Sequence, residues 1–136
     1  MIVSPVSQVT DALKVIWDNA INEAAKKRGG EELLSTIRGE VSPDQLLKRL
    51  IALGCLWTCH DGDTVVGIVV CRNRVVETLY VDRQHRRQGI ARAMLNELRA
   101  MATPPLDAFA LPGDRATKSL YESIGWKARL LTMRGE

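Results

Sequence analysis

The chain has 136 residues, which is enough for one domain over residues 1–136 with a single hydrophobic core and too short for two. Hydrophobic residues make up 46% and charged residues 26%, the balance of an ordinary globular protein, and the formal net charge is only +3. One Phe, two Tyr and three Trp are too few for the basic, aromatic-rich face of a nucleic-acid-binding protein, so we expect no nucleic-acid partner.

Helical periodicity dominates the first half of the chain after a short apolar start. Cations followed by Gly29 indicate the C-terminus of the first helix, because both are favoured there. Ser42, Pro43 and Gln45 have the pattern of an N-cap, a first-turn proline and a capping box, which predicts the start of another helix. The predicted elements are a strand at residues 1–3 and helices at about residues 9–26, 31–37 and 42–54.

The second half contains runs of β-branched residues separated by turn residues. The turns at 61–63 and 73–74 predict an antiparallel meander. The predicted elements are strands at 55–59, 64–71, 75–81, 107–111 and 129–133, with helices that begin near residues 90 and 114. This order predicts an α+β fold with a mixed, mostly antiparallel central sheet flanked by helices.

A basic turn with one glycine joins the meander to the next helix. The first amides of a helix have no partner inside it, and the helix dipole places partial positive charge there. Gly89 lets the backbone approach an anion closely, and the two arginines add charge. These residues alone fit either a diphosphate site or an ordinary strand-to-helix turn. The candidate residues are Arg86, Arg87, Gln88, Gly89, Ile90 and Ala91.

Two motifs resemble those of the GNAT superfamily of N-acetyltransferases. The first, Arg/Gln-x-x-Gly-x-Gly/Ala, is the family's acetyl-CoA signature and is matched by Arg86, Gly89 and Ala91. The second, Leu-Tyr-x-x-x-Gly-Phe/Trp, is a late helix and turn and is matched by Leu120, Tyr121, Gly125 and Trp126. Asp114 and Thr117 depart from the family's usual asparagine and alanine. The motifs are in the family's order and together span residues 79–126.

The resemblance implies acetyl-CoA as the cofactor, with its diphosphate on the amides of residues 88–91. The backbone of Leu79 and Val81 is then expected to pair with the pantetheine amides, at a splay between the strands at 75–81 and 107–111. By the same resemblance, Asp114 is counted among the cofactor-binding residues.

The resemblance also implies a direct transfer of the acetyl group to a primary amine in a ternary complex. Tyr121 is then the general acid for the departing thiolate. Glu77 lies on the strand before the loop, and two interpretations of it stay open. It is either a base, acting directly or through water, or a strand glutamate that is solvated or in an ion pair, for example with Arg72 or Arg74.

The acceptor is expected to be a small-molecule or protein amine, in a pocket shaped by the helices before residue 54. Acidic residues there either attract a cationic acceptor or are solvated surface; they are Glu31, Glu32, Glu40 and Asp44. The alternative function is a catalytically inactive CoA-binding sensor or interaction module. Lys48 and Arg49 give weak support to a third, DNA-binding interpretation. Because the family often has two C-terminal strands and one is predicted here, either a homodimer completes the acceptor site or the pocket is open.

Metal chemistry and membrane insertion are not expected. The three cysteines include a Cys55-x-x-x-Cys59-His60 run, but the chain has only one other histidine, so buried free thiols in a reducing compartment are the better interpretation. The sequence has no run of about 18 apolar residues and starts with no signal-peptide pattern. We therefore expect a cytoplasmic protein.

Overall fold

The computed structural model describes residues 2–102 and 105–135, and its centre is a five-stranded sheet. The spatial order is β1-β2-β3-β4-β5, in which the first four strands pair antiparallel and β5 pairs parallel to β4. The strands are β1 Ile2–Pro5, β2 Leu56–Asp61, β3 Thr64–Arg72, β4 Val75–Val81 and β5 Asp107–Ala108. The predicted mixed, mostly antiparallel α+β fold is confirmed.

Within the described part of the chain, five α-helices flank the sheet. They are α1 Asp11–Ala25, α2 Gly30–Arg38, α3 Pro43–Ala52, α4 Ile90–Met101 and α5 Arg115–Ser123. The predicted capping box is present, since Ser42 accepts from the amide of Gln45 at 3.1 Å and the Gln45 side chain accepts from the amide of Ser42 at 2.9 Å. No helix among the described residues is both long and apolar enough to cross a membrane.

Each face of the sheet has its own hydrophobic core. Trp17 of α1 packs with α2, α3 and one face of β3, whereas Met94 of α4 packs with α5 on the other face. Gly67 of β3 allows α4 to lie close to the sheet, because a Cβ there would be 2.8 Å from the Met94 side chain. The sheet therefore lies between two helical layers, α1–α3 on one face and α4 and α5 on the other. Residues of β4 pack against both layers.

A β-bulge interrupts β4. Thr78 pairs with Val70, but the next pair is Val76 with Cys71, so Glu77 is an extra residue. Beyond the bulge, β4 and β5 separate, because the parallel pairing covers only Val75 and Val76. The predicted strand at 107–111 is accordingly shorter than expected. The rest of β4 has a free edge that faces an opening in the sheet, which agrees with the predicted splay.

The predicted strand at 129–133 is wrong. The described stretch 126–135 has neither helix nor strand, and the side chains of Leu130 and Met133 are exposed. A further strand needs a long neighbouring edge, and β5 has only two residues. The segment instead contacts α2, where Arg134 forms an ion pair with Glu32. At the other end, the predicted first strand is present and continues to Pro5, while Met1 lies outside the described residues.

Candidate functional site

The start of α4 leaves backbone amides open to an anion. Gly89 is its N-cap, with φ +77°, and no side chain caps the helix, so the first-turn amides remain available. Space around Gly89 is open, since a Cβ there would meet no atom within 4 Å. Arg87 also has a positive φ, +65°, and its side chain is exposed. A diphosphate therefore fits the amides of Ile90 and Ala91, with Arg87 beside them.

Arg86 lies in the same loop, but its guanidinium turns away toward α1. Its Nη2 donates to Glu23 at 2.9 Å, and its Nε donates to the carbonyl of Val81 at 3.0 Å. The guanidinium carbon also lies 5.3 Å from the centre of the Tyr80 ring. The side chain of Arg86 is thus paired inside the protein in this structure.

The free edge of β4 leads from this loop toward the cleft. The amide of Asp82 donates to Val66 of β3 at 2.8 Å. Because alternate residues of an antiparallel strand face the same partner, the backbone groups of Leu79 and Val81 point away from β3. They face the opening between β4 and β5, which is where pantetheine amides could add as a strand-like partner.

A cleft that is partly open to solvent lies beside this edge. Its walls come from α1, α2, β4, residues 109–111 and α5, and more than half of the lining residues are apolar. The ionisable residues and hydroxyls that line it are Glu23, Lys27, Glu77, Thr78, Tyr80, Asp114, Thr117 and Tyr121. The structure thus brings the predicted Glu77, Leu79, Asp114 and Tyr121 together, whereas residues 86–91 lie outside the cleft lining.

Tyr121 is the buried phenol of the cleft, with an exposed fraction of 6%. Gly125, at φ +88°, turns the chain after α5 so that Trp126 donates its amide to Tyr121 and stacks on its ring, with centroids 5.3 Å apart. Burial, and to a smaller extent the charge of Asp114, raises the pKa of Tyr121 above its ordinary value. The phenol carries its proton at neutral pH, and the raised pKa makes it a weaker acid than an ordinary tyrosine.

Asp114 caps α5 and also forms an ion pair with α1. Its carboxylate accepts from the Thr117 amide at 3.2 Å and the Thr117 hydroxyl at 2.7 Å, and Lys27 lies 3.1 Å away. Burial tends to raise the pKa of Asp114, but the hydrogen bonds from Thr117 and Lys27 outweigh burial and lower it. Asp114 is therefore a charged carboxylate at neutral pH with structural partners already in place.

Glu77 is the bulged residue of β4, and its carboxylate is 10% exposed. Arg72 holds both of its oxygens, with Nε–Oε1 at 3.0 Å and Nη2–Oε2 at 3.1 Å. The same guanidinium donates to the carbonyl of Ile37 in α2 at 2.6 Å. Of the two interpretations left open by the sequence, the ion pair with Arg72 is present, and a catalytic role for Glu77 stays a prediction.

Sequence reasoning missed Glu23. This residue lines the cleft and lies near three cations: Arg86 at 2.9 Å, Arg83 at 3.8 Å and Lys27 at 4.0 Å. In the sequence, Glu23 and Lys27 look like an ordinary i,i+4 surface pair, which gives no functional signal. By contrast, the four acidic residues that the sequence offered for a cationic acceptor, Glu31, Glu32, Glu40 and Asp44, are exposed and do not line the cleft.

The cysteines take no part in the cleft. All three are free thiols, and burial raises the pKa of Cys59 and of Cys71. In residues 2–102 and 105–135, no three His, Cys, Asp or Glu side chains come together in a way that could hold a metal ion.

Comparisons with known proteins agree with this geometry. Residues 52–128 match the model of the acetyltransferase (GNAT) domain, and no curated protein matches the chain. The fold is similar to that of PaiA N-acetyltransferase from Thermoplasma acidophilum in complex with coenzyme A, with a TM-score of 0.66, 16% identity and coverage of 95% of this chain and 92% of that one. An aminoglycoside 6'-N-acetyltransferase from Acinetobacter haemolyticus gives a TM-score of 0.63 at 14% identity, over 100% and 99% of the two chains. The family model covers more than half of the sequence, and the chain therefore belongs to the GNAT family of acetyltransferases.

Proposed function

We propose that this protein is an acetyl-CoA-dependent N-acetyltransferase that transfers the acetyl group directly to a primary amine in a ternary complex. Acetyl-CoA is the cofactor of the GNAT family, and a similar fold has been crystallised with coenzyme A. The observation that carries the proposal is the continuity of the site. The uncapped start of α4 follows β4 in the chain, and the free edge of β4 borders the cleft that contains Tyr121.

The cofactor would be held mainly by backbone groups. The amides of residues 88–91 bind the diphosphate, assisted by the charge of Arg87, and the backbone of Leu79 and Val81 pairs with the pantetheine amides. Arg86 can add its charge to the diphosphate only after it leaves Glu23. Asp114 contributes by capping α5 and so fixing the helix that positions Tyr121. When bound, acetyl-CoA supplies a thioester as the acetyl donor.

Tyr121 is the general acid in this proposal. The phenol carries a proton at neutral pH, as an ordinary tyrosine does, and the Trp126 stack fixes the orientation of the ring. The departing thiolate takes this proton.

Glu77 is the proposed base, and Arg72 already engages both oxygens of its carboxylate. It would take a proton from the amine directly or through water. The acceptor is a small-molecule or protein amine. The apolar part of the cleft lining suits the carbon skeleton of such an amine.

The test compares the wild-type protein with Tyr121→Phe. Calorimetry with CoA should give the same dissociation constant for both proteins, because the hydroxyl does not hold the cofactor. Thiol release from acetyl-CoA, measured alone and with a panel of primary amines, should fall about 100-fold or more in the variant. Tight CoA binding without turnover of any amine by the wild type would instead indicate a non-catalytic CoA-binding module.

A further inference from the structure

Arg86 belongs to the cofactor loop by sequence, but its side chain is bound at the acceptor cleft. It joins Glu23 of α1 to the carbonyl of Val81 in β4, through bonds of 2.9 and 3.0 Å, and it covers the ring of Tyr80. Glu23 and Arg86 are 63 positions apart in the sequence, so this contact ties the helix that walls the cleft to the loop before α4.

This position of Arg86 conflicts with cofactor binding. The carbonyl of Val81 lies on the free edge of β4, and the Nε of Arg86 already uses it. A pantetheine amide that paired with this carbonyl would have to displace the guanidinium. Arg86 is close in sequence to the first amides of α4, where the diphosphate would bind. After its guanidinium leaves Glu23, it can pair with the negative charge of that diphosphate instead.

Displacement of Arg86 also leaves Glu23 without its nearest cation. The remaining partners are poor substitutes: Lys27 is 4.0 Å away and shared with Asp114, which is nearer at 3.1 Å, and Arg83 is 78% exposed. The Glu23 side chain is only 17% exposed, so its carboxylate would face the cleft with little water to stabilise it. A cationic group in the cleft would restore the lost pairing.

We propose that Glu23 recognises the cationic group of the acceptor amine. Before the cofactor binds, the guanidinium of Arg86 pairs with Glu23, and the diphosphate of the cofactor then attracts this guanidinium away. This inference rests on the proposed function. Cofactor binding and acceptor binding are then linked through the carboxylate of Glu23. The cofactor releases Glu23 for the acceptor, and the acceptor releases Arg86 for the cofactor.

The first experiment needs only CoA as the ligand. Calorimetry would compare the wild type with Glu23→Gln, with Arg86→Ala and with the double variant; Glu31→Gln, an exposed glutamate of α2 outside the cleft, is the control. Because CoA no longer has to break the ion pair, Glu23→Gln should bind CoA about two- to fivefold more tightly. The gain should vanish in the Arg86→Ala background.

Two results of this experiment would overturn the inference. One is an unchanged dissociation constant in Glu23→Gln. The other is an equal gain in the Arg86→Ala background, because that gain would come from removing a negative charge near an anionic ligand. If the wild type itself does not bind CoA, the proposed function fails as well, so the two failures are distinguishable.

The second experiment uses whichever primary amine the wild type acetylates best. Glu23→Gln should raise the KM for that amine about tenfold while lowering the KM for acetyl-CoA, and Glu31→Gln should change neither. A variant that is only misfolded would raise both constants or lose activity altogether. An unchanged KM for the amine would refute the role of Glu23 in acceptor recognition.

Discussion

Replacing Gly89 with alanine tests whether the backbone at this position of the cofactor loop is needed for ligand binding, apart from its effect on the stability of the fold. Gly89 has φ +77° and open space around its Cβ position, so the added methyl group meets no atom and the cost to the fold is backbone strain alone. Left-handed backbone costs an L-residue about 1–2 kcal/mol. Gly54, which follows α3, is a matched control because it has φ +69° and equally open surroundings.

The two alanine variants should therefore lose the same stability. For a chain of 136 residues, an unfolding entropy of about 2.1 cal/mol/K per residue converts this loss into a fall in Tm of about 3–7 °C. Differential scanning calorimetry would check that the two values agree. Equal losses would establish that any difference in ligand binding comes from the loop itself.

Only Gly89→Ala should weaken CoA binding. A methyl group at the N-cap of α4 hinders close approach of a phosphate to the first-turn amides, and each hydrogen bond to a charged group contributes about 1.5–3 kcal/mol. Losing one such bond lowers CoA affinity about 10- to 100-fold. Titration calorimetry on both variants measures this directly. If Gly89→Ala binds CoA as tightly as Gly54→Ala, the start of α4 is not the diphosphate site.

Two further predictions concern the carboxylates of the cleft. Glu77→Gln should lower kcat by no more than about tenfold, because Arg72 already engages both carboxylate oxygens of Glu77; a loss above about 100-fold, with a changed pH profile, would show that the ion pair does not limit its role as a base. Asp114 has a pKa below its ordinary value of 3.8, so its contribution to stability is present above that pH and is lost as the pH falls through the folded pKa. The variant Asp114→Asn keeps the helix cap. Its free energy of unfolding, measured with denaturant, should therefore fall less steeply at acid pH than that of the wild type. An equally steep fall would contradict the contribution of Asp114 to stability.

Local signals were enough to predict most of the fold. The Ser42 capping box and the hairpin turn at residues 73–74, where both residues have positive φ, depend on neighbours within a few positions. The strand predicted at 129–133 failed because pairing depends on distant residues. The bulge at Glu77 ends the pairing with β5 after two residues, and no pattern near residue 130 reports that.

The same distinction explains what the sequence offered about the site. The turn at 86–91 and the Tyr121 helix are local motifs, and the structure places them beside one cleft and one free strand edge. The sequence did not indicate a role for Glu23, because that role depends on an arginine 63 positions away. A sequence shows which residues are charged but not which of them form ion pairs. The resemblance places Arg86 in the cofactor loop, yet its side chain is here bound to Glu23. The role of a charged side chain that lies between two binding sites therefore depends on which of its competing partners it pairs with.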